Sequence, residues 1–236
     1  MKGLLLSIFP GIDILGRAFE EQGYCVVRGP DKLWGGDIRL FHPPAGIFEG
    51  IFGGPPCQEF SMLRRVYPHK KAKWGNLIPE FERVVAEGQP EWFVMENVRT
   101  APIPDVPGYH VDPSLLNNRW LGGEQNRVHR FSFGTHNGAH LLYNMALFES
   151  PKWCCRVLAS GGPPGFHHVK GHNTLHLKSG PTNRSLKEAL RLQGLMEDLL
   201  DDAPFTVRAK QSVIGNAVAW PMAQELARSI KEATNK

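Results

Sequence analysis

What most constrains the fold is the opening of the chain. Leu4-Leu5-Leu6-Ser7-Ile8-Phe9 is an apolar run interrupted only at Ser7, Pro10-Gly11 punctuates it, and Ile14, Leu15, Ala18 and Phe19 then recur at helical spacing up to Gly23. Tyr24-Cys25-Val26-Val27 follows as a second strand-like run. A short apolar run bounded by turn residues reads as a strand buried on both faces, and strands separated by a helix pair in parallel. The chain therefore begins as a βαβ unit, and a ligand belongs at the carboxyl end of its first strand, beside Gly11.

The pattern then repeats. Ile47 to Phe52 is a third apolar strand that runs into Gly53-Gly54-Pro55-Pro56-Cys57, and Leu77, Ile78, Phe81, Val84 and Val85 form one face of a helix closed by Gly88. Trp92-Phe93-Val94-Met95 is a further buried strand ending at Glu96-Asn97. The fold class is thus α/β, a doubly wound, mostly parallel sheet, with Gly11, Cys57 and Glu96 at one sheet edge. From Gly134 to about Asn183, Gly, Pro, His and Asn replace periodicity, which reads as a small inserted lobe of loops and short strands. Ser185-Leu186-Lys187-Glu188 has capping-box form and opens a helix that stops at Gly194, and a last helix starts at Pro221 with Met222, Ala223, Leu226, Ala227 and Ile230 on its buried face. The expected organisation is 1–133 catalytic and cofactor-binding, 134–183 lobe, and 184–236 a return to the first part.

Composition narrows the function classes. At 236 residues with 42% hydrophobic and 21% charged, the chain suits one main domain with a small appendage rather than a disordered or coiled-coil protein. Its longest apolar run is too short to cross a bilayer and it shows no secretory signal, so the cytoplasm is the expected compartment. Four cysteines, two of them the adjacent Cys154-Cys155, make no disulfide framework. The net charge of +4 suits an anionic partner without requiring one. Cys154-Cys155 with His167, His168 and His172 lack zinc-ligand spacing, so no metal is expected.

Two residues carry chemistry. A cysteine held on a Pro-Pro turn at a strand end can be activated by nearby donors, whereas an inert thiol needs no such turn. Glu96, at the end of a neighbouring strand, is either a solvated terminus or a proton donor for the same site. The pair reads as a nucleophile with an acid.

In their order along the chain, these and other residues resemble the DNA (cytosine-5) methyltransferase family. Phe9-Pro10-Gly11-Ile12 resembles its cofactor loop, Gly36-Asp37-Ile38 a second cofactor motif, Gly54-Pro55-Pro56-Cys57-Gln58-Glu59-Phe60-Ser61 its nucleophile loop and Glu96-Asn97-Val98 its acid motif. Gln125-Asn126-Arg127-Val128-His129-Arg130-Phe131 is similar to its Gln-x-Arg-x-Arg motif, Arg191-Leu192-Gln193-Gly194 to the helix after the recognition region, and Gly215-Asn216-Ala217-Val218 to its closing motif. A single match of this kind is weak; seven in the family's order are specific.

The resemblance implies a Rossmann-like, S-adenosylmethionine-dependent transferase acting on double-stranded DNA, with no membrane and no obligate protein partner. Cys57 would add to C6 of a flipped-out cytosine, Glu96 would assist at N3, and Arg127 would bind O2 with Arg130 as a further catalytic residue. Phe9, Gly11, Ile12, Asp31, Asp37, Ile38, Pro55, Asn216 and Val218 would hold the cofactor. Gln58, Ser61, Arg64, Arg65, Lys73, Asn97, Gln125, His129 and Gln193 would contact substrate, with the basic stretch Arg64 to Lys73 on phosphates. The 134–183 lobe would set a short or degenerate target, and a bacterial or phage-infected cell would be its setting.

Four departures stand against the family pattern. Asp13-Ile14 replaces Gly-Gly after the cofactor loop, and Arg28-Gly29-Pro30-Asp31 lacks the ribose-binding acid at its usual place, leaving Asp31 as the substitute. His129 stands for the second arginine, with Arg130 displaced by one residue onto the other face of a strand, and the lobe is short. Two rival readings follow: the same chemistry on RNA or a free pyrimidine nucleotide, or a DNA-binding homologue that has lost turnover.

Overall fold

The first strand, β1 (Leu4–Ile8), leaves Leu5, Leu6 and Ile8 with no exposed surface, as a strand covered on both faces must. The computed structural model describes residues 3–60, 73–148, 150, 154, 155, 157, 159 and 185–234. After β1 come α1 (Ile14–Glu21), β2 (Cys25–Arg28), β3 (Gly50–Gly53), α2 (Ile78–Gly88), β4 (Trp92–Asn97), β5 (His110–Asn117), β6 (Gln125–Asn126), β7 (Val128–Thr135) and β8 (Cys154–Cys155). Three helices follow: α3 (Leu186–Leu192), α4 (Val207–Asn216) and α5 (Trp220–Thr234).

Six strands form one sheet in the order β2-β1-β3-β4-β7-β5. β2, β1, β3 and β4 pair in parallel, and β7 runs antiparallel to β4. Because β1 lies between β2 and β3, the chain leaves it in opposite directions along the sheet, and the crevice at that switch point is where such sheets bind ligands. Helices cover both faces. Phe19 of α1 stacks against Phe52 and Trp92, whereas Phe81 of α2 meets Phe93, which strand alternation turns to the opposite side. The core on the α2 side joins Leu6, Ile8, Ile51, Phe93 and Met95 to Ile78, Phe81, Val84 and Val85.

The expected strands and helices are present, with shifts. β2 begins at Cys25 rather than Tyr24 and is a largely exposed edge strand. β3 begins at Gly50 rather than Ile47, and Gly50 lies against the ring of Trp92, where a Cβ would approach to 2.2 Å. Ser185 caps α3 by accepting a bond from the Glu188 amide, and the five apolar positions expected on the last helix have no exposed surface.

The chain divides into two compact units, Met1–Leu116 with Val128–Tyr143 and Gln224–Lys236, and Asn117–Arg127 with Asn144–Ala223. The division differs from the expected boundaries at 133 and 184, since the second unit also takes α3, α4 and the strand β6. Within it, β6 and β8 form a two-stranded parallel sheet. Among the described residues, no helix is long and apolar enough to cross a membrane.

Candidate active site

Three loops of the first unit leave the carboxyl ends of β1, β3 and β4. The loop after β1 is bent by left-handed residues at Phe9 (φ 55°), Gly11 (φ 57°) and Asp13 (φ 52°). Asp13 stands where glycine is usual, and aspartate is among the few side chains that adopt this conformation readily. Its Oδ1 accepts bonds from Ser7 Oγ at 2.8 Å and from the Gly16 amide at 3.1 Å, which caps α1. Its Oδ2 lies 2.8 Å from Arg28 Nε, and Arg28 also reaches Glu20 at 2.9 Å. Burial pushes the Asp13 carboxyl above its ordinary pKa, against the lowering effects of Ser7 and Arg28.

The segment after β2 grips the same loop. Asp31 Oδ2 accepts from the Gly11 amide at 3.0 Å while its Oδ1 accepts from the Leu33 amide, and the Trp34 indole donates to the Gly11 carbonyl at 2.8 Å. Trp34 is 59% exposed, a large apolar ring beside the loop that sequence reading did not single out. A tryptophan directly before Gly35-Gly36 was the signal available. Asp37 pairs with Lys32 at 2.6 Å, and that bond holds its carboxyl below the usual range.

β3 ends in the turn that carries Cys57. Pro55 is buried, Cys57 is half-buried at the start of a 3₁₀ turn, and the Asn97 amide donates to the Pro55 carbonyl at 3.1 Å. Asn97 is 1% exposed, and its Oδ1 accepts from the Val98 amide. It therefore ties β4 to the cysteine turn. The Glu96 carboxylate lies against Gly54 of that turn, where a Cβ would come within 2.6 Å of Oε2. Gln58 is exposed and accepts from the Lys73 amide.

β7 adds a histidine. In the antiparallel register Glu96 faces Phe131 and Asn97 faces Arg130, so His129 shares a face with Glu96 and Arg130 does not. His129 Nδ1 contacts Glu96 Oε1. Arg130 instead donates to the carbonyls of Arg99, Ala101 and Pro102, bracing the turn after β4. This corrects the expectation of a catalytic Arg130, and the reason is strand alternation.

The second unit holds the remaining motif residues. Gln125, with no exposed surface, donates to the Leu192 carbonyl and to Gln193 Oε1 and accepts from the Val157 amide. Gln193, equally buried, donates to the Ile214 carbonyl at 2.8 Å. Arg127 is 4% exposed and donates to the carbonyls of Val157, Gly215 and Ala217. These bonds form a buried scaffold within the second unit. Asn216 ends α4 and is exposed, while Val218 is buried. Ser61, Arg64, Arg65 and His167, His168 and His172 lie outside the described residues, as does most of the 134–183 segment.

Residues 22–102, from the end of α1 through the cysteine turn to the acid motif, match the family described as C-5 cytosine-specific DNA methylase. Over those residues the chain is similar to that family. It is 24% identical over 232 residues to an orphan methyltransferase of Bacillus phage rho11s, covering 88% of this chain and 42% of that one. It is 29% identical over 179 residues to a Type II methyltransferase of Fusobacterium nucleatum, covering 62% and 50%. The chain thus spans about half the length of these curated relatives. In fold it is similar to the Entamoeba histolytica methyltransferase EhMeth, with a TM-score of 0.68 at 11% identity over 98% of both chains. A DNA modification methyltransferase encoded within an Escherichia coli prophage aligns with a TM-score of 0.67 at 16% identity over 99% of both.

Proposed function

We propose that the chain methylates C5 of cytosine in DNA, with S-adenosylmethionine as donor and Cys57 as a transient covalent nucleophile. The observation that carries this reading is the convergence at the cysteine turn: Asn97 bonded to the Pro55 carbonyl, and the Glu96 carboxylate against Gly54. C5 of cytosine is a poor nucleophile until a group adds at C6. A half-buried thiol on a rigid turn, beside an acid that can serve N3, meets that requirement. Because a paired base exposes neither C6 face, the target enters flipped out of the duplex.

The residues present fit the cofactor. A Cβ built on Gly11 meets nothing within 4 Å, which leaves room above the loop, and Asp37 and Asp31 supply carboxylates at the switch point. When bound, the cofactor supplies a methyl group made electrophilic by a sulfonium. Phe9, Gly11, Ile12, Ile38 and Pro55 would line its site, and Asp37 would accept from the adenine amine. Asp31 would serve the ribose through the lone pairs left by its two backbone bonds, so its larger effect is to fix Gly11. Lys73 and the basic stretch before it would contact phosphates, and the 134–183 segment would choose the target sequence.

The test is adduct formation. An oligonucleotide library carrying 5-fluorocytosine, incubated with the chain and S-adenosylmethionine, should trap a complex stable to denaturation, since fluorine cannot leave as a proton does. Cys57→Ala should trap none, and trapping through Cys25 or Cys154 would refute the assignment. RNA run in parallel separates the substrate classes: an adduct with RNA and none with DNA would reverse the DNA reading. Calorimetry with Asp37→Ala should show weaker cofactor binding.

A further inference from the structure

The histidine on β7 changes what Glu96 can do. His129 stands two residues before Phe131, the partner of Glu96 across the strands, so it reaches Glu96 diagonally on one face. The two side chains are 10% and 13% exposed, and Nδ1 of the imidazole contacts Oε1 of the carboxylate. The other oxygen, Oε2, lies against the cysteine turn at Gly54. An arginine here would hold a permanent charge against the acid, whereas an imidazole can take up and release a proton near neutral pH.

We propose that His129 and Glu96 form a dyad that holds a single proton, with His129 as its reservoir and Glu96 as the group that passes it to N3 of the target cytosine. The inference rests on the cytosine reading above. As the Cys57 thiolate forms a bond to C6, the C5–C6 π electrons move toward C4 and N3, and the dyad's proton moves from Glu96 to N3. The adduct is then neutral, and the dyad is left as imidazole with carboxylate. When C5 later loses its proton to water and the C6–sulfur bond breaks, the N3 proton returns to the dyad. The proton is borrowed and restored within one turnover.

Among the described residues, other titratable or charged groups on the elements around the dyad are Cys57 and Glu59 after β3, Arg99 beyond β4, Arg130 on β7, and His110 and Asp112 on β5. Arg130 occupies the opposite sheet face, Arg99 is exposed, and Asp112 is paired with His140 at 3.1 Å. Cys57 is the one whose titration is tied to the same reaction, and its thiolate form grows with rising pH. The dyad acts in the opposite direction, since it empties as pH rises. The two limbs can therefore be distinguished.

Two measurements test the proposal on the whole chain. Selective ¹⁵N labelling of histidine follows the His129 ring without any ligand, and in Glu96→Gln its titration midpoint should fall by about one pH unit or more, because the neighbouring negative charge is gone. An unchanged midpoint would overturn the dyad. Release of tritium from [5-³H]cytosine DNA without cofactor then follows addition to C6 alone. In the wild type it should decline about tenfold per pH unit once the dyad loses its proton, and His129→Arg should show no such decline. His129→Gln, which keeps a side-chain amide near Glu96 but cannot supply the proton, should slow exchange by about 10². The same alkaline decline in wild type and His129→Arg would overturn the dyad while leaving the cytosine reading intact. No exchange from DNA or RNA in the wild type at any pH would overturn both.

Discussion

Replacing Asn97 by alanine removes one buried and one part-buried hydrogen bond at the point where β4 meets the cysteine turn. One runs from the amide to the Pro55 carbonyl at 3.1 Å and the other from the Val98 amide to Oδ1 at 2.8 Å. Each such bond contributes about 0.5 to 1.5 kcal/mol net, and the loss is larger where a partner stays buried and unpaired. Pro55 is buried, so the change should cost about 2 to 3 kcal/mol, roughly 30- to 160-fold in the folded-to-unfolded ratio. With a urea slope of about 2 to 3 kcal/mol per molar, the unfolding midpoint should drop by about 1 M. Under conditions where the variant is still fully folded, Cys57 should react faster with iodoacetamide, because the turn has lost its tether. Asn97→Asp keeps the acceptor for Val98 but sets a carboxylate oxygen against the Pro55 carbonyl. That repulsion raises its folded pKa, so the variant should regain stability as pH falls through that value, where the carboxyl becomes a donor. An Asn97→Ala chain with an unshifted midpoint and unchanged Cys57 alkylation would refute the idea that this amide holds the turn.

Three further outcomes follow from the same geometry. Gly54→Ala places a Cβ within 2.6 Å of Glu96 Oε2, so it should displace the carboxylate and lower single-turnover methylation while moving the urea midpoint little. Arg130→Leu strips donors from the carbonyls of Arg99, Ala101 and Pro102 and should lower stability by about 2 kcal/mol or more, read by urea unfolding, because those bonds involve a charged donor. Asp13 has a raised folded pKa, so the folded state binds its proton more tightly, and this carboxyl's contribution to stability declines as pH rises from 3.8 through the folded value. Urea midpoints of wild type and Asp13→Asn at several pH values should therefore shift in favour of the variant across that window, and parallel curves would show that Asp13 does not titrate there.

Much of the first unit was legible because its strands are short apolar runs that end in Gly or Pro, and its helices carry one apolar face. Cys57 and Glu96 were legible for the same reason, since each marks the end of such a run. β5 was not singled out because His110-Val111-Asp112-Pro113-Ser114 is polar and contains a proline, and it gains its strand form only by pairing beside β7. α4 was missed because Arg208, Lys210 and Gln211 dilute its apolar face, though Thr206 caps it. The burial of Gln125 and Gln193 could not be read locally, because a glutamine that bonds backbone carbonyls far along the chain has the same sequence as one that faces a ligand. The side on which His129 and Arg130 emerge was decided by alternation, a rule that requires only knowing that the segment is a strand.

The ion pair between Asp13 and Arg28 also constrains how this cofactor loop can change. Compared one position at a time with the family's motifs, the chain shows two defects, a lost glycine and a lost acid. In the fold the two positions meet, since the Asp13 carboxylate lies 2.8 Å from Arg28 Nε. Restoring glycine alone would leave Arg28 with Glu20 as its partner, and restoring the acid alone would set it against the Asp13 carboxylate. Because Arg28 touches both Asp13 and Glu20, the two positions are coupled, and changing both should not equal the sum of changing each.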